Sequence, residues 1–228
     1  MKHLRSQSGF SLLELLTSIV VIGILAVVVA DFYTNRLIDY ARTDTSIILQ
    51  TNTKQALETM EKDLKSARTI EASNQWSDIN GPGGDQYGWA SSTGSPSTLV
   101  VSVPAIDTSG NLIYVDAQHT ALQTNDVVYY VNSSNGILYR RIIANPVAGN
   151  TAVSTCPPAS ATSSCPPDGK VIEDVANLVA AYYDGNGDPT TIVDNVYSMD
   201  VTLTQTRSRF GRTFSNTLTS RVTLRNKP

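Results

Sequence analysis

GFSLLELLTSIVVIGILAVVVA, residues 9–30, decides how the chain is to be read. From Phe10 to Ala30 the only charged residue is Glu14. A helix of this length covers about 30 Å, the depth of a bilayer's hydrocarbon core. Lys2, His3 and Arg5 stand before it, and Asp31, Arg36 and Asp39 after it. Positive residues on the short leading side keep that side cytoplasmic, so the chain beyond residue 30 is expected to face outward. An uncleaved signal anchor, or a secretory signal peptide ending near residues 26–28 or 28–30, has the same outline.

Glu14 argues against the secretory outline. A carboxylate at mid-membrane costs roughly 2.5 to 3.5 kcal/mol, and a signal peptide has no use for one. A cut between Gly9 and Phe10 would leave a new cationic amine near the membrane surface, with Glu14 one helical turn inside it. In a packed array of parallel helices, one subunit's Glu14 then neutralises its neighbour's amine. With the basic leader MKHLRSQS, Gly9, Phe10, Glu14 and the apolar run, this segment resembles the type IV pilins and type II secretion pseudopilins. The resemblance implies cleavage after Gly9 by a prepilin peptidase and N-methylation of Phe10. It also implies a docking role for Glu14, a place in the cytoplasmic membrane and then in a fibre, and an inner-membrane assembly platform as partner.

Beyond the run, no proline occurs before Pro82, and residues 31–70 favour helix. Within KQALETMEKDLKSARTI, residues 54–70, Leu57, Met60, Leu64 and Ala67 recur at spacings that form one apolar face, expected to pack on a globular head. Major pilins often carry a proline at the position of Asp31, and its absence weakens the case for a helix that stretches in the fibre. Gly23 gives packing room to a neighbouring helix or is a tolerated small residue. Residues 72–98, rich in Ser, Gly and Pro, read as an irregular loop pinned to the core by Trp76 and Trp89.

Strands are expected at 98–103, 111–115 and 126–131, the last joined through Asn132–Gly136 to ILYRRII at 137–143 as a hairpin. Further strands are expected at 171–183, 192–205 and 215–224. Helix first and strands afterwards predict an α+β chain, its long N-terminal helix packed by the second half on an antiparallel sheet. The division is a leader over 1–9, a membrane or fibre-core helix over 10–30, an amphipathic continuation over 31–70 and a head over 71–228.

Four segments are similar to one subgroup, the PilW-like minor pilins and the J-type pseudopilins. They are ALETMEKDLKSAR (56–68), DVVYYVNSSNGILYRR (126–141), VANLVAAYYDGNGD (175–188) and SRVTLRN (220–226). That similarity implies a minor subunit that joins other minor and major pilins, helps prime assembly and stays at the tip. CPPASATSSCPP, residues 156–167, departs from the pattern.

Composition narrows the chemistry. A formal charge of -3 and a pI near 5.3 supply no broad basic field for nucleic acid. Charged residues are 16% of the chain, a low share that suits work outside the cytoplasm. Cys156 and Cys165 lie in a polar, proline-rich loop with no buried place for two thiols, so a disulfide is expected over unlinked thiols. Asp184, Asn186 and Asp188 have the alternation of a calcium loop, but Asn195 stands where its closing acid belongs and Asp194 is one residue short. A plain turn explains the same letters and is the preferred reading.

No catalytic constellation emerges. His3 falls in the leader, His119 has no nucleophile motif around it, and Glu173 and Asp174 would point apart in a strand. There is no phosphate-binding glycine motif, so the chain reads as no enzyme. Arg207, Arg209 and Arg212, with Phe210, are a hairpin tip or a weak DNA contact. A tip-displayed adhesin or DNA-binding subunit is therefore the alternative to an assembly role.

Overall fold

The structure, a computed structural model, describes residues 11–95, 97–116, 118–209 and 211–224. It has one long α-helix, α1 (Leu12–Ser66), followed by antiparallel β-sheets, an α+β architecture of pilin-like type. The chain divides into two compact units, one ending at Thr45 and the other starting at Ser46.

In the first unit α1 carries no charged residue over 15–30, and no part of its most apolar window is buried. Thr17 and Ser18 donate their hydroxyls to the Glu14 carbonyl, and Thr34 donates to that of Ala30. Polar side chains that would be orphaned in lipid are thus satisfied within their own helix.

Among its described residues the second unit holds nine strands in two sheets. The strands of the first are β1 (Thr69–Ile70), β2 (Leu99–Pro104), β3 (Thr124–Asn132), β4 (Ile137–Ile143) and β5 (Gly169–Ile172), in that spatial order. The second contains β6 (Val175–Tyr183), β7 (Pro189–Thr190), β8 (Ser198–Arg209) and β9 (Arg212–Thr223), ordered β7-β6-β8-β9. The expected single sheet is therefore two. Ala56, Leu57, Met60 and Leu64 of α1 share one core with Val101, Val127 and Tyr129 of the first sheet and Leu178, Val201 and Leu203 of the second. Each such side chain contributes roughly 1.5 to 3 kcal/mol by leaving water.

A second core lies on the other face of the first sheet, where Trp89, Val100, Val128 and Ile143 meet. Both faces of β2 and β3 are covered. Hence LVV and DVVYY are unbroken apolar runs rather than alternating ones. In β8 and β9 only one face is covered: Met199, Val201 and Leu203 are buried, while Thr202 pairs with Thr219 (2.8 Å) and Thr204 with Thr217 (3.0 Å) on the other.

Several boundaries differ from expectation, four of them for a visible reason. The helix stops at Ser66, because the Arg68 N–H is taken by the Ser102 carbonyl (2.8 Å) and Thr69–Ile70 become β1. Residues 111–115 form only isolated bridges at Leu112 and Tyr114, since Leu112 and Val115 are exposed and have no core face to bury. The run 171–183 breaks at Glu173 and Asp174, where Asp174 has φ 59°. Val193–Asn195 is a 3-10 turn, so β8 begins at Ser198.

Candidate functional site

At the start of α1, Ser11 and Glu14 cap the helix reciprocally. The Glu14 N–H donates to Ser11 Oγ (3.2 Å), while the Ser11 N–H and Oγ–H donate to Glu14 Oε2 (3.1 and 3.2 Å). This S-x-x-E capping box satisfies helix-end donors and turns the carboxylate toward the N-terminal end. Glu14 is exposed, and its Oε1 has no hydrogen-bond partner among the described residues. Past the apolar run, Phe32, Tyr33 and Tyr40 are exposed, and the Arg36 guanidinium lies 5.0 Å from the centre of the Phe32 ring. Aromatic rings with an arginine directly after a span are the pattern of a membrane–water boundary.

In the second unit, adjacent arginines of β4 serve opposite faces of the first sheet. Arg140 points to α1, donating to Asp63 through Nε (2.5 Å) and Nη2 (3.2 Å). Asp63 also accepts the Tyr129 hydroxyl at 2.6 Å. Arg141 is only 1% exposed, between two carboxylates. Its Nε and Nη2 reach Asp78 at 2.7 and 2.6 Å, and its Nη1 reaches Asp168 at 3.1 Å. Trp89 Nε1 donates to Asp78, while Tyr130 and Thr155 donate their hydroxyls to Asp168. Burial pushes the Asp78 carboxyl up, but Arg141, the Asn80 N–H and the Trp89 indole outweigh it and hold it below the usual carboxylate range.

The residues singled out in the sequence fall as follows. Cys156 and Cys165 are joined by a disulfide with Cα atoms 5.6 Å apart. Asp184 Oδ1 accepts the N–H groups of Asn186 and Asp188, both at 2.9 Å, and Gly187 takes the left-handed conformation the turn requires. Asp184 thus closes a turn, and no convergent group of three or more His, Cys, Asp or Glu occurs among the described residues. His119 packs on Tyr114 in a loop, with ring centres 4.3 Å apart. Glu173 and Asp174 lie in a turn rather than a strand, and bind Lys170 and Arg207 respectively. Arg207 therefore already has its counterion, while Arg209 and Arg212 flank the β8–β9 turn. Trp76 donates its indole N–H to the Thr124 carbonyl, so both tryptophans tie the long loop to the first sheet.

With Glu14 fixed at the head of a bare apolar helix, the comparison with known proteins bears on that end of the chain. Residues 4–30 carry the prokaryotic N-terminal methylation motif. That motif supports a place in the type IV pilin and pseudopilin superfamily, whose subunits are structural rather than enzymatic. It implies processing by a prepilin peptidase and assembly with other pilins, and with α1 it fits membrane anchoring and a pilus. No curated protein matches the chain. The leader over 1–9, the expected processing pair Gly9 and Phe10, and Phe210 lie outside the described residues.

Three features went unread in the sequence. Ser11 precedes Glu14 by three, a legible capping signal overshadowed by the charge of Glu14. Phe32, Tyr33 and Arg36 follow the span directly, which marks a boundary by composition alone. Arg141 left a weaker trace, a second arginine inside an otherwise apolar strand.

Proposed function

We propose that this chain is a minor pilin or minor pseudopilin, kin to the PilW-like and J-type subunits, that helps initiate a type IV pilus or related fibre and caps it. In this reading residues 1–9 are removed after Gly9 and Phe10 is N-methylated. Residues 10–30 anchor the subunit in the cytoplasmic membrane, residues 31–70 continue the helix, and the head over 71–228 stands outside. Other minor and major pilins and the inner-membrane assembly platform are its partners.

The observation that carries the proposal is the methylation motif over 4–30 set on an apolar run, residues 10–30, whose one charged residue, Glu14, sits in the first turn of α1. The capping box aims that carboxylate at the side from which a neighbour's terminal amine approaches. A charge-assisted contact there offsets the cost of a carboxylate near lipid. Its work is mechanical rather than catalytic: the strongly held carboxylates Asp63 of α1 and Asp78 and Asp168 of the head are taken up by Arg140 and Arg141.

The test is the intact mass and N-terminal fragmentation of the protein from native membranes, with Gly9→Val and Glu14→Ala beside the wild type. The expected result is a mature chain beginning with N-methyl-Phe10, lost in Gly9→Val and kept in an assembly-defective Glu14→Ala. An uncut chain in cells with active prepilin peptidase would make the protein a signal-anchored one instead.

A further inference from the structure

We propose that the Cys156–Cys165 disulfide is a redox latch for the buried Arg141 cluster: oxidation seats Asp168 against Arg141, and reduction withdraws it. Asp168 follows Cys165 by three residues, and its N–H donates to the Cys156 carbonyl at 2.8 Å. The Cys156 N–H donates in turn to the Pro166 carbonyl at 2.8 Å, and Cys156 bridges Pro167. Backbone pairing at Cys156 therefore sets where Asp168 lands. Besides these pairs the arms meet through the Thr155 hydroxyl on Asp168, and β5 begins beside Asp168 with Gly169 paired to Arg140, but Pro157, Pro158, Pro166 and Pro167 have no N–H with which to extend the pairing inside the loop. The covalent bond takes the place of the ladder that these prolines cannot form.

What the latch controls is a closed set of hydrogen bonds. Asp168 accepts from Arg141, Tyr130 and Thr155, and its withdrawal leaves three donors without their acceptor. A cavity of about 190 Å³, lined by Asp78, Asn80, Arg141, Thr155, Cys156 and Cys165, already joins the disulfide to the guanidinium. Once Asp168 leaves, water follows this cavity to Arg141 and weakens its hold on Asp78. Asp78 in turn fixes the preceding loop through Asn80 N–H (2.9 Å) and Trp89 Nε1 (2.7 Å). Asn80 Nδ2 also lies 3.2 Å from Cys156 Sγ, so that loop touches the latch directly. Two segments far apart in sequence thereby share one redox state.

Latching forms the Sγ–Sγ bond as both thiols lose their protons. The two electrons pass by thiol–disulfide exchange to a disulfide oxidant, which leaves as a dithiol. Unlatching is the reverse, with a dithiol reductant supplying the electrons. The inference does not rest on the assembly role, and its test uses the purified full chain in detergent.

Hydrogen exchange and tryptophan emission are compared in the oxidised chain and after dithiothreitol treatment. Reduction is expected to speed exchange about ten-fold in 154–168 and also in 74–89, and to red-shift an emission that Trp89→Phe removes. Asp168→Asn is expected to expose 74–89 even when oxidised, with reduction adding no more than about two-fold there. Faster exchange confined to 154–168, with emission unchanged, would reduce the disulfide to a staple on its own loop. Loss of protection through β8 and β9 as well would make it a support of the whole head, and equally overturn the proposal. If Asp168→Asn does not accumulate, the two redox states of the wild type decide alone.

Discussion

Asp63 of α1 grips Arg140 of β4 through two hydrogen bonds while accepting a third from Tyr129. Removing the carboxylate strands two donors at a partly buried junction, with Asp63 18% and Arg140 28% exposed. Asp63→Ala is expected to cost about 2 kcal/mol, less than a fully buried pair because solvent reaches both partners. Arg221→Ala, on an ion pair whose arginine is 61% exposed, is expected to leave stability nearly unchanged. Urea unfolding of the full chain in detergent compares the two.

Asp126 gives the head a pH dependence. It is fully buried; its Oδ2 accepts the N–H groups of Gln75 (2.6 Å) and Trp76 (3.2 Å), and its Oδ1 has no partner among the described residues. Burial chiefly, and Glu71 in smaller part, push its carboxyl up to about 6 against those two N–H groups. The folded state therefore holds this proton more tightly than the unfolded chain. The associated stability is complete below the ordinary carboxylate value near 3.8 and is lost as pH rises through about 6. Between those limits the wild type should lose at most about 3 kcal/mol on this account. Asp126→Asn should flatten that segment of the stability–pH curve, measured by thermal unfolding.

Capping and docking at Glu14 separate genetically. Ser11→Ala removes the cap partner at a cost of about 1 kcal/mol to the helix end, yet leaves the carboxylate in place. The fraction of subunit recovered in sheared fibres should fall only a few-fold in Ser11→Ala, by the proportion about 1 kcal/mol sets, and to background in Glu14→Ala. Equal loss in both would assign Glu14 to capping alone.

At the Asp184 turn, the carboxylate already accepts two backbone N–H groups. Excess calcium, or its removal by a chelator, should leave the melting temperature of the full chain unchanged. A calcium-dependent rise that Asp188→Asn abolishes would show that the turn reorganises around the ion.

Local chemistry made some elements legible and left others hidden. ILYRRII was readable because Asn135–Gly136 sets a turn, and Gly136 does take φ 63°. The α1 stripe was readable because Leu57, Met60 and Leu64 recur with the period of the helix. The break at Asp174 was not, since nothing in VIEDVAN announces a left-handed aspartate between two apolar runs. Nor was the division into two sheets, which depends on pairing between segments such as β6 and β8 that no short window contains. Arg140 and Arg141 show the limit well. Adjacency in a strand sends them to opposite faces, but only the covering of both faces makes the second a buried cation.

The buried stripe of α1 places Leu57, Met60 and Leu64 in one core with residues of both sheets. A pull along this part of the helix is therefore met as shear, shared among interlocked side chains and the Asp63 fork, instead of peeling one strand at a time. Bonds loaded together yield at higher force than bonds loaded in sequence. Packing of this kind resists a pull along the helix without opening the core.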